Sequence, residues 1–377
     1  MREVLILGGA RTPVAAWAGG KRGDGSPGGA LKPYDPFDLG AAALKAALER
    51  TGVEGAALDR VYFSNVYAAT SQAVYGARQI ALRAGVPEGV PAITVGMACG
   101  SGLYAVIAAA ESIGFGQCEL LATGGADNSS LVPRAFFIPS FKDAACGEHI
   151  GKTVEDMARE AGLTRAEIDR WALESHLRAR AAIRAGTFRG EIVPIGPVAA
   201  DDAPLESPTP EPFAAAEPSF EGGSLITKMN SHAVGDAGAA LVLASPEGAR
   251  RAEAAPLGRY LGGSLAAVPP RRMGYASVPA LKGLLASAGL SVADIDLFEI
   301  NETFAAQLLI DLKELGIPES KVNVNGGAVA LGHPFAATGP RQVLSLLLEL
   351  KRRGFKRGAA SICIGGGQGV AVLVETL

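Results

Sequence analysis

The chain has 377 residues, 48% of them hydrophobic, and a net charge of -3 from 35 basic and 38 acidic side chains. That is enough apolar material for two or three domains with sizeable cores. The near-balanced charge excludes a polybasic nucleic-acid face, and no apolar run reaches the roughly 18 to 20 residues that span a bilayer.

The first residues, "MREVLILGGARTP", read as a short strand without the length or cleavage site of a secretory signal. "DPFDLGAAALKAALERTG" is an amphipathic helix, with Asp35 as cap before Pro36 and Gly52 as stop. "DRVYFSNVYAA" and "PAITVGM" are strands, "GSGLYAVIAAAESIGFG" a small-residue helix, and "CELLATGGADN" a strand ending in glycines. Alternation of this kind predicts an α/β layered fold. From about residue 128 to 228 the pattern changes. "GKTVEDMAREAG" and "RAEIDRWALESHLRARAAIRAG" read as helices, and the proline-rich "APLESPTPEPFAAAEPSF" as an irregular surface loop.

The opening grammar then returns. "ASVPALKGLLASAG" is a helix, "DIDLFEINETFAAQ" a strand and loop, "KVNVNGG" a strand, and "GPRQVLSLLLELKRRG" a helix. "AASICI" and "VAVLVETL" are strands joined by a glycine hairpin, since a phosphate loop would lead into a helix. Asn65 in "VYFSNVYAA" corresponds to Asn301 in "LFEINETFAA", and Gly124-Gly125 to Gly365-Gly366. The reading is two copies of one domain. The first spans 1–127 with a returning segment at about 229–250, the second spans 251–377, and an inserted loop domain at 128–228 is placed to cover a shared site.

Four cysteines (Cys99, Cys118, Cys146 and Cys363) contain no C-x-x-C pair, and four histidines are scattered. This argues against a zinc site or a disulfide framework and suits a reducing cytoplasm. Cys99, in "GMACGSGLYAV", stands where a strand gives way to a helix; the helix dipole and nearby N–H groups there favour a thiolate. His333, in "NGGAVALGHPFAATGPR", is turned by Gly332 and Pro334 and is suited to taking a thiol proton near neutral pH. Asn301 and Glu302 follow a strand; Cys363 ends one. Each also reads as structural: an inert buried thiol, a loop histidine satisfied by backbone, a turn asparagine. The residues taken singly leave both readings open. Together they suit a reaction with two proton-handling steps, if strand ends of both copies face one pocket.

"RTP", "ACGSG", "NETFAAQ", "NVNGGAVALGHP" and "CIGGGQG" occur in the order found in the thiolase family, which the whole chain resembles. The resemblance implies duplicated βαβαβ domains forming a layered αβαβα core. It implies that Cys99 accepts an acyl group as a thioester, that His333 activates it, and that Cys363 exchanges a proton with the α-carbon of the second acyl-CoA. Asn301 would hold a water that forms one oxyanion hole with His333, and the N–H groups of Cys99 and Gly365 would form the other. His149 and Ile150 fall where biosynthetic members place a histidine and a methionine against the acyl chain and pantetheine, which points to short-chain, acetoacetyl-type substrates. Two departures leave chain length open: His232, beside Ser231, stands at a pantetheine-contacting serine, and Gln368 replaces a methionine. The loop "WAGGKRGDGSPGGALKPYD" is also longer than in most members.

The implied partners are acyl-CoA and CoA as substrates, with no further cofactor and no metal, no nucleic acid and no membrane, in a cytoplasmic homodimer or homotetramer. The same fold also serves other condensing acyltransferases, which usually lack the second cysteine. The altered pocket at Ile150, His232 and Gln368 leaves a further reading, a non-catalytic acyl-CoA- or lipid-binding subunit of an acyltransferase complex.

Overall fold

The computed structural model describes residues 2–19, 28–68 and 70–377; the long loop at 17–35 lies partly outside the described residues. The first half runs β1 (Val4–Arg11), β2 (Ala15–Ala16), α1 (Pro36–Thr51), β3 (Arg60–Ser64), α2 (Gly76–Arg83), β4 (Ala92–Val95), α3 (Ser101–Gly114) and β5 (Leu120–Asp127). Helices α4 (Arg134–Phe137), α5 (Ile150–Glu160), α6 (Arg165–Ala185) and α7 (Pro210–Ala214) intervene before the chain returns as β6 (Gly235–Ala244) and α8 (Pro246–Arg251). The second half is β7 (Gly258–Ala267), α9 (Ser277–Ser287), β8 (Leu297–Ile300), α10 (Ala305–Leu315), α11 (Ala328–Leu331), α12 (Thr338–Arg353), β9 (Arg357–Ile364) and β10 (Gln368–Thr376).

Local signals explain most boundaries. Asp35 accepts from the Asp38 N–H while the Asp38 side chain accepts in return from the Asp35 N–H, and Gly52 ends α1 in the left-handed region. The strands lie in the order β4-β3-β5-β6-β1-β7-β10-β9-β8, with β2 paired to β6. Strand β3 runs parallel to β4 and β5, and β8 parallel to β9. The returning strands β6 and β10 pair antiparallel with β5 and β9. The repeat is thus visible in the register: Asn65 and Asn301 each follow the strand that lies parallel to a glycine-bearing neighbour.

Three cores give the layers. Helices α1 and α2 cover the outer face of the first half through Phe37, Leu44, Ile80 and the strand residues Val61, Phe63 and Val242. Helices α3 and α12 share the middle core, with Ile6, Leu121 and Leu241 from the first half and Ile362, Ile364 and Val372 from the second. Helices α5, α6, α9 and α10 cover the far face, where Cys363, Ala371 and Leu373 point. Alternation along β9 therefore sends Ile362 and Ile364 inward and Cys363 to the opposite side.

Two sequence expectations are corrected. "KVNVNGG" does not form a strand: only a Phe298–Val322 bridge remains. Asn323, at φ +45°, takes over the pairing through its side chain, accepting from the Ile300 N–H at 3.0 Å and donating to the Ile300 carbonyl at 2.8 Å. The proline-rich stretch is not wholly irregular either. It contains α7, which begins at Pro210, a position where a missing N–H costs nothing, and buries Phe213.

The insertion is anchored by buried charge. Arg11, the arginine of "RTP", forms a bidentate pair with Asp201 at 2.7 and 2.9 Å and a further hydrogen bond to Glu191 at 3.0 Å. Glu302 ties the insertion to the loop after β8. It accepts from Trp171 Nε1 and Ser175 Oγ of α6, from Asn323 Nδ2 and from the Val329 N–H. Glu302 is therefore committed to four donors as a structural clasp.

Candidate active site

Cys99 lies in a 3₁₀ turn at Ala98–Gly100 that runs directly into α3. The preceding Ala98 is held at φ +43°, a conformation disfavoured for a residue with a Cβ. Ser101 clamps the turn, accepting from the Met97 N–H at 2.6 Å and donating to the Ala98 carbonyl at 2.7 Å. The N–H groups of Cys99 itself and of Gly365 act on the Cys99 sulfur and lower its pKa, so the hairpin of the second half reaches the thiol of the first.

Burial pushes the Cys99 thiol up to about 11, against the opposing pull of those two N–H groups; Asp127 adds a smaller push in the same direction. The two N–H groups act in the thiolate-favouring sense expected of a helix start, and desolvation acts against them.

His333 follows Gly332, at φ +94°, and is fully buried. Its N–H donates to the Ala233 carbonyl at 2.6 Å, and Nδ1 lies 2.7 Å from Thr338 Oγ1. Nε2 has no partner. Burial, helped by the nearby His232 and Arg341, holds the imidazole well below its ordinary value, so the neutral ring is favoured. The tautomer that donates Nδ1–H to Thr338 leaves Nε2 with a bare lone pair. The turn after His333 packs tightly on the first half: a Cβ on Gly102 or on Gly125 would stand 1.9 or 2.0 Å from the Ala336 carbonyl oxygen. Phe335, in that turn, belongs to the same cluster as Cys99, with Phe137 and Val132.

Asn301 leaves β8 with its N–H on the Ser361 carbonyl at 2.9 Å. Its Nδ2 donates to Thr303 Oγ1 at 3.1 Å, and its Oδ1 is buried without a partner. The same Thr303 oxygen lies 3.2 Å from Cys363 Sγ. Cys363 is fully buried, and its pKa is raised strongly, by burial first and then by Asp311, with Thr303 acting in the opposite sense. Gly365, Gly366 and Gly367 form the turn between β9 and β10, and the Gly366 N–H donates to Asp143 of the insertion at 2.8 Å.

A cavity of about 370 Å³ opens beside this cluster, with Phe141, His149, Ile150, Ser231, His232 and Phe304 among its walls. Cys99, Asn301, His333, Cys363, Gly365 and Gln368 do not line it. Gln368 sits exposed at the start of β10, opposite Ile364. His149 caps α5, its Nδ1 accepting from the Gly151 N–H at 3.1 Å. His232 connects the two groups. Its ring faces the cavity and also packs against His333, while its N–H donates to the Thr303 carbonyl at 3.1 Å and its Nδ1 stands 2.9 Å from that same oxygen.

Residues 4–247 match the family model described as "Thiolase, N-terminal domain" and residues 254–376 the one described as "Thiolase, C-terminal domain". The chain belongs to the thiolase family. It is 38% identical to the acetyl-CoA acetyltransferase of Escherichia coli (strain K12), with 100% of each chain covered. It is also similar to the crystal structure of human mitochondrial 3-ketoacyl-CoA thiolase in complex with CoA, at TM-score 0.94 and 34% identity, covering 100% of this chain and 98% of that one. The Bacillus anthracis acetyl-CoA acetyltransferase structure matches at TM-score 0.94 and 36% identity, covering 100% and 99%.

In this thiolase the second half supplies Asn301, His333, Cys363 and Gly365, and the first half supplies Cys99. Sequence reasoning overlooked Thr303, although it lies inside the "NETFAAQ" segment. Its place between Asn301 and Cys363 arises only when β8 and β9 pair. Among the described residues, no group of three or more His, Cys, Asp or Glu is disposed to hold a metal, and no helix is long and apolar enough to cross a membrane.

Proposed function

We propose that this enzyme is an acyl-CoA thiolase, an acyltransferase that interconverts two acyl-CoA molecules with a 3-oxoacyl-CoA and free CoA. The observation that carries this reading is the Gly365 N–H on the Cys99 sulfur. It puts a backbone donor of one half where a thioester oxygen would gather negative charge once the sulfur is acylated.

In the first step, His333 Nε2 takes the Cys99 proton as the sulfur attacks the thioester carbonyl. CoA leaves and is reprotonated, and the acyl group rests on Cys99. In the second, Cys363, once its own thiol proton has passed to solvent, removes an α-proton from the next acyl-CoA as the thiolate. The resulting enolate attacks the Cys99 thioester, a C–C bond forms, and the C–S bond to the enzyme breaks. The N–H groups of Cys99 and Gly365 stabilise one oxyanion, and His333 with a water held by Asn301 stabilises the other. The cavity walled by His149, Ile150, Ser231 and His232 receives the acyl chain and pantetheine. Its extent toward the reaction centre is limited by His232, which favours short acyl groups.

The acyl group is carried by Cys99, so the reaction needs no cofactor beyond the CoA thioester. The enzyme works in the cytoplasm as a homo-oligomer. Among the described residues, strand β4 is a free sheet edge, with Ile93 on it 44% exposed and Val74 in the neighbouring turn 85% exposed. A second copy, related by a twofold axis, can pair antiparallel along that edge and cover both side chains. Because β4 leads within four residues to Cys99, the partner would also brace the nucleophile turn.

Incubation with acetoacetyl-CoA and CoA tests the reading: loss of the enolate absorbance is expected. An intact, folded protein that turns over no 3-oxoacyl-CoA of any chain length would refute it. If acetyl-CoA bound but left no acetyl adduct on Cys99, the chain would be a binding subunit instead.

A further inference from the structure

Thr303 has no role in the mechanism above, yet every polar atom it owns is engaged. It is buried between β8 and α10. Its N–H donates to Gln307 Oε1 at 3.1 Å, and Gln307 is in turn held by Asp311. Its carbonyl accepts from the His232 N–H. Both ends of the backbone are therefore fixed, and a β-branched side chain has few rotamers left. The hydroxyl is delivered to one place, 3.1 Å from Asn301 Nδ2 and 3.2 Å from Cys363 Sγ.

The chemistry of the three groups sets the direction of the bonds. An amide nitrogen only donates, so Oγ1 accepts from Asn301. The hydroxyl proton and one lone pair remain for sulfur. Against a thiol, Oγ1 can accept the S–H; against a thiolate, only O–H to S⁻ is possible. The hydroxyl can therefore serve Cys363 in either protonation state. Among the described residues no hydroxyl is hydrogen-bonded to the Cys99 sulfur, on which the backbone N–H groups of Cys99 and Gly365 act instead.

We propose that Thr303 is a positioning residue for Cys363: its hydroxyl donates to the thiolate that takes the α-proton and accepts from the thiol that results, so it supports the condensation half-reaction and not the acylation of Cys99. This rests on the thiolase reading above. In the step concerned, the α-C–H bond breaks with its electron pair left on carbon as the enolate, the S–H bond forms on Cys363, and the Thr303–sulfur hydrogen bond reverses direction. The direction of Thr303's effect on Cys363, opposed to that of burial and Asp311, agrees with a donor to the charged form.

Thr303→Val removes the hydroxyl at nearly constant shape, Thr303→Ala removes it without adding an apolar branch, and Thr303→Ser retains it. Two rates are compared in each: acetylation of Cys99 by acetyl-CoA, followed by intact-protein mass, and formation of acetoacetyl-CoA across pH. For Val and Ala, acetylation is expected to stay within about twofold of the parent. Condensation near pH 7 should fall about tenfold, with its rising limb displaced upward by about one pH unit, since losing one donor to a thiolate has that scale. Serine should restore both. Acetylation falling in step with condensation, or an unmoved pH limb, would overturn the proposal. The parent protein is the control for the thiolase reading: if it neither acetylates nor condenses, that reading fails before any variant is compared.

Discussion

The rings of His232 and His333 meet edge to face, with centroids 5.2 Å apart and planes at 89°. His232 also touches Phe141, Phe304 and Phe335, all with centroids within 6.3 Å. It is therefore a partition of fixed thickness between the cavity and the base. Its Nε2 is buried without a partner, while its Nδ1 is tied to the Thr303 carbonyl. Replacing it by serine should join the cavity to the reaction centre. The ratio of kcat/KM for a six-carbon over a four-carbon 3-oxoacyl-CoA is expected to rise about tenfold in His232→Ser, the scale of one or two methylenes in an apolar pocket. An unchanged ratio across a chain-length series would show that the ring does not set acyl length.

The state of His333 fixes the acid side of the pH profile. Burial disfavours its imidazolium, and the neighbouring His232 and Arg341 work in the same direction. A base whose pKa is depressed stays neutral, and so competent, to lower pH than an ordinary histidine. The acid limb of kcat/KM for acylation is therefore expected below pH 6.5, with a flat region above it. A limb centred above pH 7 in a pH–rate series would contradict the environment described here.

The two thiols are separable by experiment. Cys99→Ala should leave no acetyl adduct by mass spectrometry and no turnover. Cys363→Ala should still acquire one acetyl group on Cys99, while condensation falls by at least about a hundredfold, the usual scale of a lost proton-transfer group. Equal condensation rates in Cys363→Ala and the parent would remove Cys363 from the reaction.

Arg11 offers a test of architecture rather than chemistry. Its guanidinium and both carboxylates, Glu191 and Asp201, are almost completely buried. Arg11→Met keeps the side-chain volume but leaves two buried carboxylates unpaired, and one of these, Asp201, also accepts the Val14 N–H. A loss of about 3 to 5 kcal/mol is expected, read as a lower urea midpoint. Additional replacement of Asp201 by asparagine should recover part of it, because one uncompensated charge is then gone.

The fold was largely legible because its signals are local. The Asp35-Pro36 start and Gly52 stop of α1 lie within one segment, and the strand pattern after Gly367 is enough to distinguish a hairpin from a phosphate loop. The failures share a cause. "KVNVNGG" has strand composition, but Asn323 supplies with its side chain the pairing that Ile300 needs, which no local pattern reveals. Phe213 turns a proline-rich stretch into a helical turn by docking against a core formed mostly by distant residues. Within the site, motif order pointed to Cys99, Asn301, His333 and Cys363, but the weight of burial on the Cys99 thiol was not legible. A helix start raises the expectation of a thiolate, whereas desolvation, a property of the whole molecule, pushes toward the thiol. Thr303 escaped notice for the same reason, since its two side-chain partners include one 60 positions away.

Helices α3 and α12 fill one core between the two halves of the sheet, and Cys99 and its Gly365 donor come from opposite sides of that core. A cut in the link between α8 and β7 would produce two fragments, each with a bare apolar face and an incomplete centre. Neither polypeptide should be soluble or competent by itself, while co-expression should let them recombine, because the surface each exposes is the one the other was built to cover.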